Sequence, residues 1–109
     1  MASILIIDDD NLMCDTMNRL IRRIGHDTLC AQNLKEGLAL VTQHNFDVVF
    51  LDVRLPDGNG LELLAWIRDR RHPIAVLILT GSGDRDSALA ALKAGADDYL
   101  PKDRLSQLG

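Results

Sequence analysis

The sequence predicts a doubly wound α/β sandwich, a parallel sheet with helices on both faces. Three observations carry this. Apolar runs at Ile4–Ile7, Val48–Leu51 and Ile74–Leu79 are continuous rather than alternating, the pattern of strands buried on both sides. The segments between them space apolar residues three and four apart, which is a helical period. Strands alternating with helices make βαβ units with right-handed crossovers, and 109 residues make one such domain.

The elements follow in order. Ser3–Ile7 is a central strand that stops at Asp8-Asp9-Asp10. Asn11–Ile24 is a helix with apolar residues at Met13, Met17, Leu20, Ile21 and Ile24, capped by Asp10 or Asn11 and ended by Gly25. Thr28–Ala31 is a second, weaker strand, and Leu34–Gln43 a short helix. Phe46–Asp52 is a third strand, again ending in Asp. Leu55-Pro56-Asp57-Gly58-Asn59-Gly60 has turn chemistry. Leu61–Arg70 is a helix, and Ile74–Thr80 a fourth strand. A loop at Gly81-Ser82-Gly83-Asp84 leads to an Ala-rich helix, Asp86–Ala94, stopped by Gly95. Asp98-Tyr99-Leu100 is a short fifth strand running into Pro101-Lys102.

Composition narrows the function. Hydrophobic residues are 47% of the chain and charged residues 26%, enough apolar content for a core and too much for a disordered tail. The net charge of −4, from 12 Lys+Arg against 16 Asp+Glu, disfavours nucleic-acid binding through a basic face. Cys14 and Cys30 form no disulfide framework and have no ligand spacing, so they read as reduced thiols in a cytoplasmic protein. Met1-Ala2-Ser3 lacks the basic start of a signal peptide, and no apolar stretch approaches bilayer length. Only Glu36 and Glu62 among the acids are Glu; the remaining 14 are Asp. Asp is the shorter, stiffer ligand and the better cap, which directs attention to the ends of elements.

In doubly wound sheets ligands bind at the carboxyl ends of the strands, where strand order reverses. The first strand here ends in Asp8-Asp9, the third in Asp52, the fourth in Thr80 and the fifth beside Lys102. With the first and third strands adjacent, three carboxylates converge. Two carboxylates ~4 Å apart repel by roughly 4 kcal/mol at an effective dielectric near 20, so such a cluster binds a cation or holds protons. Oxygen-only ligands suit Mg²⁺. The Thr80 hydroxyl and Lys102 ammonium complement a phosphoryl group on a carboxylate. Taken singly, each residue has an ordinary reading: Asp as helix cap or turn residue, Thr80 as a strand-end hydroxyl, Lys102 as a solvated lysine, Tyr99 as a half-buried strand aromatic. Their joint placement on four of five strand ends is what departs from it. Trp66 reads as a partly covered surface residue, Arg68, Arg70 and Arg71 as a solvated helix end, and His26, His44 and His72 as turn residues without ligand spacing.

Ile6-Ile7-Asp8-Asp9-Asp10, Leu51-Asp52-Val53-Arg54-Leu55-Pro56-Asp57-Gly58-Asn59-Gly60-Leu61, Ile78-Leu79-Thr80 and Ala94-Gly95-Ala96-Asp97-Asp98-Tyr99-Leu100-Pro101-Lys102 together resemble the receiver domain of two-component response regulators. The stretch from Val53 to Leu64 is similar to receivers that govern enhancer-binding transcription activators. The resemblance implies a flavodoxin-like (CheY-like) five-stranded parallel sheet of order 2-1-3-4-5 over residues 1–109. It implies that Asp52 accepts a phosphoryl group from a phosphohistidine on a histidine kinase. Asp9, Asp52 and the Arg54 backbone carbonyl would ligate Mg²⁺, with Asp8 acting through water and charge. Lys102 and Thr80 would hold phosphoryl oxygens. Thr80 and Tyr99 would form the switch that alters the surface around the fourth helix and fifth strand. On this reading the chain catalyses only its own phosphoryl transfer and dephosphorylation. Its implied partners are a kinase phosphotransfer domain, a transcription-activating output domain outside the chain, and a second copy of itself, with no direct nucleic-acid or membrane contact.

The family pattern also exposes departures. Asp103 stands where proline usually follows the lysine, Gly81 where Ala is common, and Leu55 where Met is frequent. Arg104 to Gly109 gives under two turns of a last helix, so the chain reads as a piece of a longer regulator whose uncovered sheet face favours self-association. Arg54 and Ser82 flank the path of the water that would attack the phosphoryl group. Rival functions fit less well. A flavin or dinucleotide module needs a Gly-, Ser- or Thr-rich loop after the first strand, where Asp8-Asp9-Asp10-Asn11 repels phosphate. A Mg²⁺-dependent aspartyl phosphatase needs a second Asp two residues past the nucleophile, where Arg54 stands. A receiver-like scaffold independent of phosphorylation is the remaining alternative.

Overall fold

A computed structural model of the chain describes residues 1–70, 72–81 and 84–104. The elements run β1 (Ser3–Ile7), α1 (Asn11–Arg23), β2 (Asp27–Ala31), α2 (Leu34–Gln43), β3 (Val48–Asp52), β4 (Arg54–Leu55), β5 (Gly58–Asn59), α3 (Leu61–Asp69), β6 (Ala75–Thr80), α4 (Arg85–Lys93) and β7 (Asp98–Pro101). Five strands form one parallel sheet in the order β2-β1-β3-β6-β7. Counting main strands alone, this is the expected 2-1-3-4-5. The extra pair, β4 and β5, is a two-residue antiparallel hairpin inside the segment read as a turn. Strand pairing there is too short to leave a periodic signal.

The Ile4–Ile7 run is buried on both faces, while β3 and β6 bury one face fully and the other in part. Side chains alternate along a strand, so Leu5 and Ile7 face one side with Val49, Leu51, Val76 and Ile78, against Val41, Leu63, Leu64, Ile67 and Ala91 of the helices. Ile4, Ile6 and Leu79 face the other side, against Met13, Cys14, Met17 and Ile21 of α1. Val48, Phe50 and Leu100 also lie on that side, partly buried. The short last helix expected there involves residues 105–109, outside the described residues, as are Arg71 and Ser82; residues 102–104 begin a helical turn. The second strand looked weak because it is an edge strand with Leu29 exposed.

Helix ends follow local chemistry. The Asp10 side chain caps α1 by accepting from the Leu12 and Met13 N–H groups. Gly25 (φ 96°) and Gly95 (φ 112°) close α1 and α4 with paired bonds: His26 N to Ile21 O with Gly25 N to Arg22 O, and Ala96 N to Ala91 O with Gly95 N to Leu92 O. That double closure needs a left-handed residue, which glycine supplies without strain. Arg68 and Arg70, near the end of α3, are not merely solvated. Arg68 donates to Gly95 O (2.8 Å), Ile74 O (2.7 Å) and Asp97 Oδ2 (2.9 Å), tying α3 to the loops before β6 and β7. Arg70 lies 4.0 Å over the Trp66 ring, which covers that indole as the sequence reading expected. Among the described residues no helix is long and apolar enough to cross a membrane.

Candidate functional site

Strand register brings the candidate residues to one edge of the sheet. Ile7 pairs with Leu51, so Asp8 and Asp52, the next residue on each strand, stand side by side. Asp52 pairs with Leu79, and Thr80 with Pro101; Thr80 and Lys102 are therefore the next residues along the same rim. Asp8 is fully buried, Asp52 and Thr80 nearly so, while Asp9 is exposed. One carboxylate oxygen from each of Asp8, Asp9 and Asp52 lies within 4.8 Å of the others.

Lys102 supplies the counter-charge. Its Nζ donates to Asp52 Oδ2 at 2.8 Å and forms an ion pair with Asp8 Oδ2 at 2.9 Å. The second contact is ionic and not aligned as a hydrogen bond, since Asp8 Oδ2 is buried without a hydrogen-bond donor. The other oxygens are held by backbone: Asp10 N–H donates to Asp8 Oδ1 (3.0 Å) and Arg54 N–H to Asp52 Oδ1 (3.2 Å). Burial raises the Asp8 pKa above its ordinary value and the Asp52 charge adds to this, against the pull of Asp10 N–H and Lys102. Burial also works against the Lys102 ammonium, but the Asp52 and Asp8 carboxylates outweigh it and hold its pKa above the usual lysine value. One ammonium against three carboxylates still leaves negative charge in excess.

The donor set fits a hard divalent cation. It consists of oxygens only, and its three clustered carboxylates face a single ammonium. Such groups cost free energy unless a proton or cation satisfies them. The site can therefore take a cation among Asp8, Asp9 and Asp52, and it presents the Asp52 carboxylate beside a fixed ammonium.

The loops around the site are braced. Arg54 Nη2 pairs with Asp84 Oδ1 at 2.6 Å, linking the segment after β3 to the start of α4. Thr80 and Tyr99 line one cavity of about 340 Å³, with Asp84, Ala88 and Pro101 also on its wall. Tyr99 itself is 43% exposed. Sequence reasoning missed two positions. A side chain at Gly60 would put its Cβ 2.3 Å from the Asp52 carbonyl oxygen, so the glycine permits the backbone approach on which the Asp52 loop is built. Asp57, at the hairpin tip, accepts from the N–H groups of Leu34 (2.7 Å) and Lys35 (3.0 Å) and so caps α2 from outside; these bonds hold its carboxyl below the ordinary value. The turn-rich composition marked both residues as loop, but nothing local reveals what they touch.

Residues 4–108 match the family model of the response regulator receiver domain. The chain is 40% identical over 98 residues to the response regulator protein PilR of Pseudomonas aeruginosa, a stretch covering 90% of this chain and 22% of PilR. It is 39% identical over 100 residues to the photosynthetic apparatus regulatory protein RegA of Rhodobacter capsulatus, covering 92% of this chain and 54% of RegA. The chain thus spans from about a fifth to about half of these relatives. Among solved structures, a response regulator receiver domain from Clostridium thermocellum matches with a TM-score of 0.86 and 38% identity over 94% of this chain and 82% of that one. A response regulator from Burkholderia pseudomallei, solved with a phosphorylated aspartic acid, a calcium ion and citrate, matches with a TM-score of 0.85 and 33% identity over 94% of this chain and 60% of that one.

Proposed function

The chain belongs to the response regulator receiver family, and from that premise we propose that Asp52 is its phospho-acceptor, taking the phosphoryl group of a phosphohistidine on a kinase phosphotransfer domain. The observation that carries this is the Asp8, Asp9 and Asp52 cluster within 4.8 Å, with Lys102 bonded to Asp52 at 2.8 Å. An Asp52 oxygen attacks phosphorus. The P–O bond forms as the P–N bond breaks, and the imidazole nitrogen keeps the electron pair and gains a proton from solvent. Asp9 and Asp52 would hold Mg²⁺, with the Arg54 backbone carbonyl as third protein ligand and Asp8 acting through water and charge; when bound, the ion offsets negative charge on the transferring group.

The chain's own residues do the rest. Arg54 N–H fixes the Asp52 carboxylate. Lys102 exchanges its contact with Asp52 for one with a phosphoryl oxygen, and the Thr80 hydroxyl donates to another. Moving Thr80 alters the cavity it shares with Tyr99, so Tyr99 turns and the surface of α4 and β7 changes. Beyond its own phosphorylation and dephosphorylation we assign the chain no catalysis. The greater length of the relatives supports reading residues 1–109 as the receiver of a longer regulator; we further take that regulator to be cytoplasmic, its output domain to be of the transcription-activating kind, and a second copy of the chain to be a partner. Asp103, in place of proline, favours the phosphorylation-independent alternative only if it displaces Lys102; Lys102 reaches both Asp8 and Asp52 regardless.

The test is acyl-phosphate labelling with Mg²⁺, read by intact mass. The parent gains one phosphoryl group; Asp52→Asn and metal-free samples gain none. Equal labelling of Asp52→Asn would overturn the assignment.

A further inference from the structure

Cys14 and Cys30 are sixteen positions apart and show no motif, yet the fold brings the Cys30 sulfur within 3.9 Å of the Cys14 carbonyl oxygen. Cys30 pairs in register with Ile6, so it faces the side of the sheet on which Ile6 lies under α1. Cys14, in the first turns of α1, is buried on that side. The Cys30 S–H donates to the Cys14 carbonyl (3.9 Å) and the Cys14 S–H to the Asp8 carbonyl (3.6 Å). Cys30 is exposed and Cys14 buried, so only one member of the pair meets solutes. Among the described residues no third cysteine, histidine or carboxylate joins them as a metal-binding group. Two sulfurs alone do not make a metal site.

We propose that Cys14 and Cys30 form a reactive dithiol that low-molecular-weight disulfides oxidise to an intramolecular disulfide, with Cys30 attacking and Cys14 resolving. The Cys30 thiolate attacks one sulfur of a disulfide RSSR. A mixed disulfide Cys30–S–S–R forms and RS⁻ leaves, taking up the proton that Cys30 lost. Cys14 then loses its proton and attacks the Cys30 sulfur, and the second RS⁻ leaves and is protonated. In sum two thiols and RSSR give one protein disulfide and two RSH. The neighbouring Cys14 side chain lowers the Cys30 thiol below its ordinary value, against the burial that raises it, which supports Cys30 as the attacking member. The product joins α1 to β2 and removes the S–H donor from the Asp8 carbonyl.

The experiment uses oxidised glutathione on the reduced protein, with acid quenching, intact mass and peptide mapping. The parent is expected to lose two hydrogen atoms, yield a Cys14–Cys30 linked peptide pair and retain no glutathione; dithiothreitol reverses the change. Cys14→Ser accumulates glutathione on Cys30, whereas Cys30→Ser loses most incorporation. A parent that keeps glutathione on Cys30 overturns the proposal, as does a cross-link between chains. So does Cys30→Ser modified at Cys14 as fast as the parent at Cys30. The parent measurement needs no variant to fold. Its readout is independent of phosphoryl transfer, so it stands or falls separately from the assignment of Asp52.

Discussion

Gly60→Ala sets two effects of known size against each other. Gly60 has helical dihedrals, φ −57° and ψ −23°, so by backbone preference alone alanine should stabilise the protein by about 0.4–1 kcal/mol through a less flexible unfolded chain. Its Cβ, however, would lie 2.3 Å from the Asp52 carbonyl oxygen and 3.2 Å from Leu51 Cδ1. The obstacle is backbone on a buried strand end, so it cannot swing aside as a flexible side chain would. One segment must retreat by roughly 1 Å to reach an ordinary contact. Overpacking of this kind costs about 1–3 kcal/mol. The steric term wins, leaving a net loss of roughly 1–2 kcal/mol and a Tm lower by roughly 5–10 °C. The retreat also displaces Asp52, and a misplacement near 1 Å costs about 100-fold in rate. Thermal unfolding and the time course of acyl-phosphate labelling measure the two effects. A variant as stable as the parent that labels at the parent rate would refute the argument.

Other substitutions probe the charges. Lys102→Met leaves Asp8 and Asp52 without their ammonium and should cost about 3 kcal/mol in metal-free buffer, more of it restored by Mg²⁺ than the ion adds to the parent; an unchanged urea midpoint without metal would count against it. Arg68→Ala removes three bonds from a mostly buried guanidinium and should cost about 2 kcal/mol, read from the same urea curves. Asp57 has a folded pKa below its ordinary 3.8, so its contribution is complete above pH 3.8 and fades as acid lowers the pH through the folded value. Asp57→Asn should therefore melt below the parent at pH 7, with the gap closing in acid; a gap constant down to pH 2 would show that charge is not the cause.

The strands were legible because burial leaves uninterrupted apolar runs, as at Ile4–Ile7; their order came from the resemblance to receiver domains. The site was legible for a related reason: parallel strands end at one rim, so Asp8, Asp52, Thr80 and Lys102 were neighbours once the order was known. What escaped notice was contact between loops. Arg68 resembled any basic residue at a helix end until Gly95 and Asp97 folded over it. Asp57 and Gly60 looked interchangeable with other turn residues, since a cap and a close approach are properties of two segments. The two cysteines escaped for the same reason: only the docking of α1 across the sheet gives them a shared environment.

The ammonium lodged between Asp8 and Asp52 acts as a resident substitute for a mineral ion. On the proposed reading, folding therefore need not wait on magnesium supply: starvation for the ion would silence the receiver without unravelling it, and replenishment would restore signalling without new synthesis.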